Sequence, residues 1–140
     1  MNIQTGSTRF LSRVLMADGV VSGLSGLALV AAPGPIAALI GLRSAGVVAA
    51  VGVGLLVYAA RLIGNARRES PRREEVAMAV ILNLAWIAGT VVVIVAGWLN
   101  REGNWALILV GDIVLVFAVL EGIGLRKTAA LRPAAEGRGL

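Results

Sequence analysis

Neither cysteine nor histidine occurs among the 140 residues of this chain. Without cysteine there are no disulfides and no thiolate metal sites. Without histidine the usual haem ligand, metal ligand and neutral-pH proton shuttle are missing. Serine–histidine and cysteine–histidine catalysis is closed to the chain by itself, and carboxylate chemistry stays open. Charge is also scarce, at 15% of residues, and much of it falls in three short segments. A soluble domain of this size covers its surface with roughly a quarter charged residues. This chain lacks that cover.

Apolar residues take the place of charge, at 58%, together with 18 glycines. A membrane-spanning helix needs about 20 apolar residues. Four runs qualify, at about 11–32, 44–66, 76–99 and 105–125. They are continuously apolar and too long for barrel strands, which alternate over about ten residues. The joints "APGPIAALIGLRSAG", "NARRESPRREE" and "NREGN" leave no room for a separate soluble domain. The sequence predicts an all-α integral membrane protein, a four-helix up-down-up-down bundle. One four-span domain covers residues 1–128, and 129–140 form a polar C-terminal tail. A cleaved signal peptide is the rival for the first run, but that run is longer than a typical signal core and carries Asp18.

The net charge of +5 is distributed in a way that sets orientation. Arg9 and Arg13 precede the first run, and Arg67, Arg68, Arg72 and Arg73 separate the second from the third. Arg126, Lys127, Arg132 and Arg138 follow the fourth, whereas the other two joints hold only Arg43 and Arg101. The positive-inside rule then predicts cytoplasmic N- and C-termini. The bilayer and its anionic headgroups explain the basic surplus, and no motif supports a nucleic-acid partner. Trp98 and Trp105 bracket the third joint as interfacial anchors. Pro33 and Pro35 end the first helix, and 36–42 is expected to be a short interfacial piece or a kink near Gly41.

Small residues at four-residue spacing let helices approach closely in lipid. Gly19 and Gly23 with Gly26, then Gly46, Ala50 and Gly54 with Ala60 and Gly64, and finally Ala85 with Gly89, give three helices a thin face. The segments "YAARLIGNARR" and "FAVLEGIGLRK" align without gaps, each opening on an aromatic–Ala pair and closing on a basic pair. A duplicated hairpin explains the match, and so does chance in a small alphabet.

Charges inside a bilayer cost several kcal/mol, so their placement is informative. At about 1.5 Å per residue, Asp18 lies about 7–8 Å from Arg13, Arg61 about 9 Å from Arg67, and Glu121 about 7–8 Å from Arg126. Asn83 lies about 12 Å from Glu75 by the same count. Each span thus carries one polar residue in its cytoplasmic third: Asp18, Arg61, Asn83 and Glu121. Helical spacing adds Ser22 and Ser25 to the side of Asp18, Tyr58 and Asn65 to that of Arg61, and Trp86 and Thr90 to that of Asn83. These side chains are the expected lining of a polar seam. Asp112 stands nine residues before Glu121, on the opposite side of an ideal helix, and marks a separate polar site or a subunit contact. Arg61 has three readings: a snorkelling side chain, an ion pair with Glu121 first and Asp18 second, or part of a functional site.

The stretches "RFLSRVLMADGVVSGLSGL", "LLVYAARL", "ILNLAW" and "FAVLEGIGLRK" resemble those of small four-helix proteins of the bacterial inner membrane. Length and helix count also resemble small multidrug resistance transporters, with Asp18 where those proteins use a glutamate for proton–substrate exchange. Their glycine-rich helix-three motif and aromatic stacking residues are not present here. No nucleophile–base pattern is visible, so the expected protein is not an enzyme and needs no metal or cofactor. It is expected to act through helix–helix association, with itself as a homo-oligomer or with another membrane protein. The alternative is a small proton-coupled transporter or ion channel built on Asp18, Arg61 and Glu121.

Overall fold

The computed structural model describes residues 3–130, and these residues are helical with no strand among them. The order is α1 (Ile3–Ala31), α2 (Pro33–Ile40), α3 (Ala45–Ala66), α4 (Arg73–Val95) and α5 (Arg101–Ala130). Of these, α1, α3, α4 and α5 are long and apolar enough to cross a membrane, which points to a membrane protein. Both outer spans run past their expected bounds. α1 begins before residue 11 and α5 continues to Ala130, into the region expected to be tail. Charged and polar side chains there do not break helical backbone, and sequence hydropathy alone stops short of the helix end. The rest of the tail, 131–140, lies outside the described residues.

The short α2 occupies most of the piece expected at 36–42. Ala32 leaves helical geometry at φ −135°, and Pro33, without an N–H, starts the new helix. Gly41 ends it at φ 79°, a left-handed conformation that favours glycine. The N–H of Leu42 donates to the Ala37 carbonyl at 2.8 Å and that of Gly41 to Ala38 at 3.3 Å, a Schellman closure. Asn100 then ties this end to α5. Its side-chain amide donates to the Leu39 carbonyl at 2.8 Å, and its Oδ1 caps α5 by accepting from the Gly103 N–H at 2.8 Å.

α1 packs along α3 more extensively than any other pair, α5 lies against both α4 and α1, and α3 meets α4 only sparingly. Close approach explains the first pairing. A Cβ on Gly26 would sit 2.8 Å from the Gly52 carbonyl oxygen, and one on Gly52 would sit 2.9 Å from the Leu29 Cβ. By contrast, Gly54, Gly64 and Gly89 have nothing within 4 Å of an added Cβ, so part of the small-residue pattern marks no packing within the chain. The main apolar core joins Leu11 and Leu15 of α1, Leu62 and Ala66 of α3, and Val76 and Ala79 of α4.

Replacing Gly26 by Val forces the α1 and α3 backbones apart and should cost about 1–3 kcal/mol. Gly54→Ala should be neutral or slightly stabilising. Thermal unfolding in detergent checks the pair, and equal Tm values for both variants would rule out close packing at Gly26.

Candidate functional site: a buried acid pair

Four helices each contribute one side chain to a polar cluster: Asp18 from α1, Tyr58 from α3, Asn83 from α4 and Glu121 from α5. Asp18 is 2% exposed, Asn83 5% and Glu121 0%. Such complete burial in an apolar surround is costly for polar atoms that lack hydrogen-bond partners.

Asn83 supplies most of them. Its Nδ2 donates to Asp18 Oδ2 at 3.2 Å and to Glu121 Oε2 at 3.1 Å, so one amide nitrogen holds two carboxyl groups. Ser22, one turn beyond Asp18, donates its hydroxyl to Asp18 Oδ1 at 3.0 Å. The Tyr58 oxygen stands 3.1 Å from Asp18 Oδ2 and 3.0 Å from Asn83 Oδ1. A phenol has one hydrogen and can satisfy only one of those two acceptors at a time. Glu121 Oε1 is buried with no hydrogen-bond partner, and so is Trp86 Nε1, one turn along α4 from Asn83.

Arg61 is not part of this cluster. Its Nη2 sits 3.1 Å from both carboxylate oxygens of Glu75, the one ion pair among the described residues, with the Arg61 side chain 58% exposed. The expected pairing with Glu121 or Asp18 is replaced by this one. The long Arg61 side chain runs toward the α3–α4 connection, where Glu75 stands near the start of α4. The signal for Glu75 is present in the sequence. Arg61 and Glu75 stand on either side of one short turn, and two helices joined that way bring such positions close together.

The remaining expected residues divide. Ser22, Tyr58, Asn83 and Glu121 gather around Asp18, and Thr90 is buried on α4. Ser25 is exposed and does not line the seam, because two turns along from Asp18 the buried side of α1 has passed to Gly26, against α3. Asn65 is buried but serves the α3–α4 connection, accepting from the Arg72 N–H at 2.8 Å and donating to its carbonyl at 3.3 Å. Asp112 is exposed, on the side of α5 away from Glu121. Among the described residues no group of three or more acidic side chains could hold a metal ion.

The chain matches no protein-family model, no curated protein and no solved structure.

Truncating Asn83 to Ala leaves two buried carboxyl groups without their shared donor and should destabilise the protein by about 1–3 kcal/mol. Arg61→Ala removes an exposed pair and should change stability by no more than about 1 kcal/mol. Unfolding measurements in detergent on both variants decide this, and a larger loss from Arg61→Ala would put the arginine back in the structural network.

Proposed function

We propose that this chain is a small four-span protein of the bacterial inner membrane, with both termini cytoplasmic and the spans in up-down-up-down order. In this reading the Asp18–Glu121 pair carries a proton, and the protein is a proton-coupled transporter or channel, not an enzyme. The observation that carries it is the meeting of two carboxyl groups at one Asn83 nitrogen while the cation expected to pair with them, Arg61, is engaged with Glu75.

Two carboxylates held this close in a low-dielectric surround repel strongly unless one carries a proton. The Tyr58 oxygen has two acceptors within 3.1 Å and a single hydrogen, so the cluster has room for a further proton. The unpartnered Glu121 Oε1 offers a second acceptor for a proton in transit. Ionisable groups held inside membrane domains commonly mark proton or ion pathways.

A purely structural role has one observation in its favour, since the cluster ties four helices together through side chains. Flux separates the two. Purified protein in liposomes under an imposed pH gradient should conduct protons, and Asp18→Asn or Glu121→Gln should reduce that flux tenfold or more, on the scale of general acid–base losses of roughly 10²-fold, with Tm retained. Absence of flux from the native protein, or unchanged flux in both variants, leaves only the structural role.

A further inference from the structure

α3 and α4 follow each other through a short connection, yet they touch only sparingly. Between them lies a cleft with a cavity of about 20 Å³. Its α3 wall holds Tyr58, Arg61 and Leu62, three and four residues apart on one side of that helix. Its α4 wall holds Glu75, Met78 and Leu82, again on one helical side. The Arg61–Glu75 ion pair stands at the end near the connection, with the Arg61 side chain 58% exposed. A charged pair this open belongs in water and not in lipid. From Glu75 to Leu82 the α4 wall runs about 10 Å along the helix. The next residue is Asn83, which holds the acid pair. The cleft thus leads from a charged rim to the level of Asp18 and Glu121.

Tyr58 belongs to both places. It lines the cleft, and its oxygen stands 3.1 Å from Asp18 Oδ2. Among the described residues, no other side chain of the cleft hydrogen-bonds to the acid pair. A water molecule needs about 10–15 Å³ of such space and at least two polar partners. The cavity has that room, and Tyr58, Arg61 and Glu75 bring polar groups to its walls. Leu62 and Leu82 bring none.

We propose that the α3–α4 cleft admits water and that protons reach Asp18 through it, with the Tyr58 hydroxyl as the last relay. This route rests on the proton reading of the Asp18–Glu121 pair. A protonated water in the cleft gives its extra proton to the Tyr58 oxygen as the phenol hydrogen passes to Asp18 Oδ2. One O–H bond forms and one breaks at Tyr58, which ends neutral. The positive charge leaves the water and cancels that of the carboxylate. Rotation of the phenol O–H then restores the starting arrangement.

The cysteine-free chain allows the cleft to be probed directly. Leu82→Cys places a thiol in the cleft wall, and Ile81→Cys places one beside it in sequence but outside the cleft. The native side chains are 46% and 59% exposed, so plain accessibility favours position 81. In liposomes, a charged membrane-impermeant thiol reagent should modify Leu82→Cys about tenfold faster or more, because the reacting thiolate forms in water. Equal rates, or faster reaction of Ile81→Cys, overturn the wet cleft. Tyr58→Phe keeps the ring and removes the hydroxyl. It should lower proton flux about tenfold or more, and labelling of Leu82→Cys in the Tyr58→Phe background should be unchanged. Labelling that falls together with flux makes Tyr58 a prop of the cleft and overturns the relay. Native flux that Tyr58→Phe leaves intact overturns the relay alone, whereas absence of native flux removes the proton reading and the relay together.

Discussion

The Nδ2 of Asn83 reaches Asp18 on α1 and Glu121 on α5 together, and the arrangement of the spans around that nitrogen follows from it. A side-chain amide has two hydrogens to give and here gives both to carboxyl oxygens. For this to happen inside an apolar surround, α1, α4 and α5 must approach to within side-chain reach at one level. Tyr58 brings α3 to the same point. Apolar packing in lipid is weakly directional, so a polar cluster of this kind defines which helix faces meet and at what depth.

Around that point the chain uses backbone devices to keep the helices in place. Gly26 and Gly52 bring α1 and α3 into near contact of their backbones. Asn65 closes the α3–α4 connection on itself, and Asn100 fastens the end of α2 to the start of α5. Each of these asparagines sits where a helix end would otherwise leave backbone groups unpaired. The Arg61–Glu75 pair adds a tie across the sparse α3–α4 contact, near the side chains of Tyr58 and Leu62. The acid pair is thereby enclosed by α1 and α5 and more thinly covered between α3 and α4.

Helical class and the number of apolar spans are legible in the sequence because length and hydropathy alone fix them. Asp18, Asn83 and Glu121 can also be grouped by sequence position alone, since equal depth is a matter of counting residues. The partner of Arg61 cannot be found that way. Counting gives depth along the backbone, whereas the guanidinium travels several ångströms beyond it and meets Glu75 instead. Ser25 and Asn65 fall outside the cluster for a related reason. Helical spacing groups residues on one side of a helix but does not say which neighbour that side meets at each level. Glycine spacing likewise flags Gly54 and Gly64 together with Gly26, and only the packing distinguishes a close approach from open space.

Infrared spectroscopy of the reconstituted protein at neutral pH reads directly whether a proton resides on the Asp18–Glu121 pair, through the C=O stretch of a protonated carboxyl group. The native protein should show that band. It should survive in Asp112→Asn, and adding Asp18→Asn and Glu121→Gln to that variant should remove it. An Asp112→Asn protein without the band, or one that retains it unchanged when the other two substitutions are added, would mean that the pair holds no proton.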